Sequence, residues 1–157
     1  MNKTGRMTIQ LVCLCAVFFS SCSRPKTGVD LVKEAVTDAV ASAEAKDVGG
    51  VMKRVSRGFH GDDGSDYNAV KGILLGQLFR DETVNIFIRG MEVEVKGDTA
   101  VAEVRVVMTR GKAVKSLSEV PRGAADALRF SIVFKKEDGS WKAVNAAWER
   151  IGLAGLL

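Results

Sequence analysis

The segment VNIFIRGMEVEVKGDTAVAEVRVVM, residues 84–108, decides the fold, because its alternation of apolar residues changes parity once. In the first half, apolar residues occupy even positions as far as Ile88 and odd positions from Met91 onward. Since successive side chains of a strand point to opposite faces, a regular strand would turn part of this set away from the core. One extra residue at Arg89–Gly90 would restore a single apolar face, so we predict a β-bulge there.

The same segment contains a turn that joins two antiparallel strands. Gly97–Asp98 is predicted as a two-residue hairpin turn, and the second strand is expected over residues 99–110. A continuous apolar face follows when the bulge is included in the register. The predicted cross-strand pairs are then Val95 with Ala100, Val93 with Ala102, Met91 with Val104, Ile88 with Val106, and Ile86 with Met108.

A second hairpin is predicted after a long connection over residues 111–126. Its strands are expected over 128–136 and 141–151, and Asp138–Gly139 is a strong turn signal between them. Regular pairing across that turn assigns each residue of the last strand to one face of the sheet.

Regular pairing of the second hairpin predicts which side chains face the helices. It sets Asn145 opposite Ile132 and Glu149 opposite Leu128, on the apolar face that also carries Phe130. A patch suited to a homodimer or a protein partner is then predicted on the outer face, from Trp148, Val144 and Val133.

Three helices are predicted before the strands. Apolar residues recur at helical spacing from residue 31 to 43, and further helices are expected over 48–56 and 67–79. Their predicted N-terminal caps are Thr27 (in a capping box with Asp30), Asp47 and Asp66. The predicted fold class is α+β, with N-terminal helices packed on a curved, bulged antiparallel sheet of four or more strands.

The order of these elements resembles the nuclear transport factor 2-like (NTF2-like) superfamily, also called SnoaL-like or cystatin-like. The segments that carry the resemblance are GFHGDDGSDY at 58–67, VKGDTAVAEVRV at 95–106 and KKEDGSWKAVNAAWERI at 135–151. The resemblance implies a sheet that curls around the helices to form a cone with a pocket. It also implies a range of roles, since members include isomerases, dehydratases, small-molecule binders and lipoproteins.

The N-terminus is typical of an export signal. Lys3 and Arg6 precede an apolar run over 7–19, which is short for a membrane span. The stretch VFFSSC, which ends at Cys22, resembles the lipobox of bacterial lipoproteins, in which the cysteine carries acyl chains, commonly palmitate. An ordinary secretory signal with an incidental cysteine and an uncleaved helix are the alternatives.

The lipobox resemblance sets the predicted domains and location. Residues 1–21 are the signal peptide, 22–28 the lipidated tether and 29–152 the NTF2-like domain. Because Ser23 follows the cysteine, the resemblance implies the outer membrane, with the domain in the periplasm of a bacterial cell envelope. Cys22 would be the lone cysteine of the mature chain, since Cys13 and Cys15 lie in the signal.

Composition and charge exclude several classes of function. The formal net charge is +4, but Lys3 and Arg6 lie in the predicted signal, so the domain is nearly neutral and no nucleic-acid partner is expected. The only histidine, His60, lies in an acidic loop whose spacing does not match an EF-hand, and we expect neither a metal nor a cofactor.

The predicted pocket holds few groups that could perform acid–base chemistry. Asn145 is either a polar contact for a ligand or an amide satisfied by a helix backbone group. Glu149 is either a pocket carboxylate or a solvated one near the strand end. Tyr67 is either an acid for catalysis or a ring that packs with its hydroxyl in water. The full set of ligand-pocket candidates is Asn145, Glu149, Tyr67, Phe130, Ile132 and Met108.

Three functions remain open at this point: the two described next and a purely structural envelope lipoprotein that binds no ligand. The favoured one is a membrane-anchored, non-catalytic module that binds a small apolar ligand or docks a periplasmic protein. The alternative is an enzyme of the isomerase or dehydratase type, in which Tyr67 acts with Glu149 or Asp66.

The lipid anchor is tested by the substitution Cys22→Ser. Because the acyl chains are attached to the thiol, we expect the variant to remain an unprocessed precursor and to incorporate no radiolabelled palmitate. Labelling equal to that of the unaltered chain would refute the anchor.

Overall fold

Three helices precede four strands in the computed structural model, which describes residues 24–78, 82–120 and 125–152. The predicted signal peptide and Cys22 lie outside these residues. Within the described ranges, no helix combines the length and the apolar character needed to cross a membrane. The helices are α1 (Gly28–Glu44), α2 (Val48–Lys53) and α3 (Tyr67–Leu78), and the strands are β1 (Thr83–Lys96), β2 (Thr99–Gly111), β3 (Ala125–Glu137) and β4 (Ser140–Arg150).

The four strands form one antiparallel sheet in the order β1-β2-β3-β4, and the predicted fold class is confirmed. The register of β1 against β2 shifts between Ile88 and Gly90, where the bulge was predicted. All five predicted cross-strand pairs are present, from Val95 with Ala100 to Ile86 with Met108. Ile86 and Val93 therefore both pack against the core despite their opposite parity.

The predicted N-terminal caps are also present. Thr27 Oγ1 accepts a hydrogen bond from the Asp30 N–H at 3.2 Å, and Asp30 Oδ2 accepts from the Thr27 N–H at 2.9 Å, which completes the capping box. Asp47 caps α2 by accepting a hydrogen bond from the Gly50 N–H, and Asp66 caps α3 by accepting one from the Ala69 N–H. Local side-chain chemistry thus determines where each helix begins.

The second helix is shorter than predicted, because the chain leaves it to cover a sheet edge. The Arg54 carbonyl accepts a hydrogen bond from the Ala143 N–H at 2.8 Å, and the Ser56 N–H donates to the Ala143 carbonyl at 2.9 Å. The free edge of β4 is therefore paired along this stretch. The prediction that α2 continues to Ser56 is wrong, and the predicted end of α3 at Phe79 lies outside the described residues.

The second hairpin contains a bulge that regular pairing did not predict. Val133 pairs with Asn145, whereas Phe134 pairs with Ala143, so Val144 is the extra residue. The predicted pairings of Asn145 with Ile132 and of Glu149 with Leu128 are wrong, because every residue after the bulge changes face. The observed inward pairs are Ile132 with Ala146 and Phe130 with Trp148, and Glu149 lies opposite Arg129.

The long connection after β2 returns to the outer face of the sheet. Asn85, which is buried, donates hydrogen bonds to Thr109 Oγ1 at 3.1 Å and to the Lys112 carbonyl at 3.2 Å. The Val114 N–H donates to Asn85 Oδ1 at 3.3 Å. One buried amide therefore holds the start of the connection against the sheet.

Both hairpin turns lie at the end of the sheet where α1 begins. The Lys136 N–H donates to the Asp98 carbonyl at 2.9 Å, which joins the two turns. A Cβ built on Gly28 would lie 3.2 Å from Val95 Cγ1 and 3.9 Å from Trp141 Cζ2. The chain thus enters the domain beside the turns.

Glycines in two helices predict opposite responses to the same substitution. A Cβ at Gly72 or Gly76 of α3 would meet nothing within 4 Å, so alanine should raise the free energy of unfolding by up to about 1 kcal/mol at each site. At Gly50 of α2 a Cβ would lie 2.5 Å from both Asp47 Oδ2 and Ser42 Oγ, so alanine should destabilise the chain. Chemical denaturation measures both, and equal effects in the two helices would contradict the packing described.

Candidate ligand-binding cavity

A cavity of about 450 Å³ lies between the three helices and the inner face of the sheet. Its size is within the range of small-molecule sites in proteins. The sheet contributes Ile86, Val104, Val106, Phe130, Ile132, Phe134, Ala143, Ala146, Ala147 and Trp148, and the helices and the loop between α2 and α3 contribute the other walls.

The space exists because α1 presents small side chains to it. Ala35, Ala39 and Ala43 line the cavity and recur every four residues, so they lie on one face of the helix. Large residues on that face would reach the aromatic side chains of β3 and fill the gap. The same helix seals the core at its other end with Val32, which is fully buried.

Two large apolar side chains at the cavity are exposed to solvent. Trp148 on β4 is 62% exposed and Ile73 on α3 is 55% exposed, and both line the cavity. Large apolar residues of a monomer are exposed together mainly at binding sites. We therefore take Trp148 and Ile73 to mark the mouth of the cavity.

The polar residues of the lining, here called the polar wall, all come from the segment between α2 and α3 and are Arg54, Asp62, Asp63 and Ser65. The Arg54 guanidinium donates a hydrogen bond to the Asp38 carboxylate. Hydrogen bonds from the Ser65 hydroxyl and then from the Ser65 N–H lower the pKa of Asp63 below its ordinary value. Asp63 is therefore ionised at neutral pH.

The aspartates of this wall belong to a loop that is fixed to β4. His60 and Asp66 form an antiparallel bridge, and the Gly61 N–H donates to the Ser65 carbonyl at 2.7 Å. The Asn145 amide donates to the His60 carbonyl at 2.7 Å and to Asp62 Oδ1 at 2.8 Å. Asn145 thus positions the loop instead of lining the cavity.

The pocket candidates named from the sequence fall into two groups. Phe130 and Ile132 line the cavity. The other four are outside its lining. Met108 packs among core residues, and the centroid of the Tyr67 ring lies 4.3 Å from Cζ of Arg57. Glu149 Oε1 pairs with Arg129 Nη1 at 3.0 Å, and Asn145 binds the loop.

The residues named for acid–base chemistry are not brought together. The exposed carboxylate of Asp66 accepts the capping hydrogen bond from the Ala69 N–H at 2.8 Å, and Glu149 is held by Arg129. Neither lines the cavity that Tyr67 was expected to share with them. Among the described residues, no group of three side chains has the geometry to hold a metal ion.

The outer-face patch predicted from three residues is divided by the bulge. Trp148 pairs with Phe130 on the cavity side, whereas Val133 pairs with Asn145 on the opposite side. The backbone carbonyl of Val144 accepts a hydrogen bond from the His60 N–H at 3.0 Å. The predicted continuity of Trp148 with Val133 and Val144 is therefore wrong.

Solved structures share this fold at low sequence identity. A candidate dehydratase of the NTF2-like family from Streptomyces avermitilis has a TM-score of 0.65 at 17% identity, over 82% of this chain and 99% of that one. An NTF2-like protein from Cytophaga hutchinsonii has a TM-score of 0.61 at 14% identity, over 80% of this chain and 100% of that one. Bd1075 from Bdellovibrio bacteriovorus gives 0.62 at 12% identity over 76% of this chain, which spans only 40% of the length of Bd1075.

Comparisons by sequence give no match, either to protein-family models or to curated proteins. The likeness to solved structures therefore shows the fold alone. The domain has the NTF2-like fold, as its element order predicted.

The role of Asn145 as a loop clamp is tested by Asn145→Ala. Because the substitution leaves the His60 carbonyl and Asp62 without their donor, we expect a loss of about 1 kcal/mol in the free energy of unfolding and faster amide hydrogen exchange across 58–67. Asn68→Ala, at an exposed position of α3, is the matched control and should leave amide exchange in the loop unchanged. Unchanged exchange in the loop of Asn145→Ala would contradict the clamp.

Proposed function

We propose that this chain is a lipid-anchored protein of the bacterial cell envelope whose NTF2-like domain binds a small apolar ligand without transforming it. The observation that supports ligand binding is the cavity of about 450 Å³ with its apolar walls. The anchor rests on the lipobox resemblance at Cys22, and the location at the outer membrane, facing the periplasm, rests on the same resemblance.

The driving force for such a ligand would be burial of apolar surface. Transfer from water contributes about 25 cal/mol for each Å² of apolar surface, so a ligand in contact with the lining aliphatic and aromatic side chains gains free energy without directional contacts. The exposed rings and chains at the mouth, Trp148 and Ile73, would lose contact with water in the same step.

A role without catalysis is supported by the partners of the candidate acids. Glu149 and Asp66 have a salt bridge and a helix cap respectively, and Tyr67 packs under a cation. A general acid or base must lie within hydrogen-bond reach of the bound substrate. The arrangement of these three residues does not favour the isomerase or dehydratase alternative that names them.

A protein partner or a second copy is a further proposal for the same surface. Trp148 is the large exposed apolar side chain of β4, and a partner that covered it would also cover the mouth. A homodimer through the outer face of the sheet is less favoured, because Arg105 and Glu92 form an ion pair there.

Filling the cavity tests the proposed binding. We expect the purified full-length chain to enhance the fluorescence of the neutral apolar probe N-phenylnaphthylamine. Native mass spectrometry of chain purified from its own host should show the additional mass of a bound molecule. Ala39→Phe should weaken binding of the probe about tenfold, since the new ring occupies space that the probe would otherwise bury.

The matched control places the same ring on the other side of the same helix. Ala41 is exposed on α1 and is not part of the cavity lining, so Ala41→Phe should leave the affinity unchanged. Circular dichroism checks that both variants fold. Equal affinities in the two variants, or no probe binding by the unaltered chain, would overturn the proposal.

A further inference from the structure

The charge on the polar wall of the cavity is unbalanced. Of its ionisable side chains, Asp62 and Asp63 are negative and Arg54 alone is positive. Arg54 is already engaged by Asp38, so its charge is neutralised by a residue outside the lining. The wall therefore offers a ligand two carboxylates and no free cation among its described residues.

Both carboxylates retain the capacity to accept further hydrogen bonds. Asp62 receives the Asn145 amide on Oδ1, and no other donor reaches Asp62 among the hydrogen bonds of the described residues. Asp63 accepts from the Ser65 N–H at 2.9 Å, and a carboxylate has about four acceptor positions. The loop is fixed at both its bridge and its clamp, so these groups are positioned before a ligand arrives.

Aromatic side chains of the same cavity add a second attraction for positive charge. Phe59 and Trp148 line it together with the two aspartates. The faces of aromatic rings carry negative electrostatic potential and attract ammonium groups. An anionic head group would instead meet two like charges.

We propose that the ligand of this cavity is an amphiphilic cation, an apolar body with an amine that binds at Asp62 and Asp63. The proposal rests on the proposed binding function and specifies its ligand class. The apolar body occupies the space against α1 and the sheet, while the amine stays at the polar wall, close to solvent. Because both carboxylates are exposed, the preference for positive charge is moderate and depends on salt.

Ligands that differ only in their head group test this inference. Decylamine, decanol and decanoate share one chain, and each is measured by its displacement of N-phenylnaphthylamine from the full-length chain at low ionic strength. Decylamine should bind about tenfold more tightly than decanoate, because the two carboxylates attract its amine and repel the head group of decanoate. The double variant Asp62→Asn with Asp63→Asn should remove this difference, and circular dichroism checks that it folds.

A charge-matched control separates a local effect from the net charge of the protein. Glu103→Gln with Glu149→Gln removes two carboxylates outside the cavity lining, and this variant should keep the preference for decylamine. Equal binding of decylamine and decanoate would refute the cationic ligand but leave the apolar site intact. Failure of all three compounds to displace the probe would refute the proposed binding function itself.

Discussion

The packing of Arg105 across Gly90 is the contact on which the sheet depends. A Cβ at Gly90 would lie 2.8 Å from Nη2 and 2.9 Å from Nε of the guanidinium, so a side chain there would displace Arg105 from its ion pair with Glu92. Arg89, immediately before Gly90, is the extra residue at which the register of β1 shifts by one, and this shift returns the apolar side chains to the helices. The curvature that encloses the cavity follows from this strand's ability to bend without exposing its core face.

A second bulge, at Val144, gives the cavity its chemical character. It turns Trp148 to the cavity and Asn145 to the loop, where the amide fixes the aspartates that line one wall. The edge of β4 is also covered by the chain that leaves α2, so the loop and the strand depend on each other for their backbone hydrogen bonds. The site is therefore built by an irregularity of the edge strand.

Most of the fold could be predicted from the sequence, because its signals are local. The parity change around Gly90 and the capping residues Thr27, Asp47 and Asp66 each specify structure within a few residues. The bulge at Val144 was missed because the alanines beside it suit either face of a sheet. One signal of this bulge was available in the sequence. Trp141 and Trp148 occupy positions of opposite parity, as Ile88 and Met91 do on either side of the first bulge. The lining aspartates could not be predicted, because their place depends on a contact between distant segments.

The end of the sheet at which the chain enters has a consequence for how the protein meets its surroundings. Val95 lies beside the start of α1, and Trp148 at the mouth of the cavity is in the cross-strand row that ends at Met91, four residues back along β1, so about 13 Å of strand separates the two. If Cys22 is acylated as proposed, residues 22–28 span at most about 25 Å. The opening would then stay within about 40 Å of the bilayer surface.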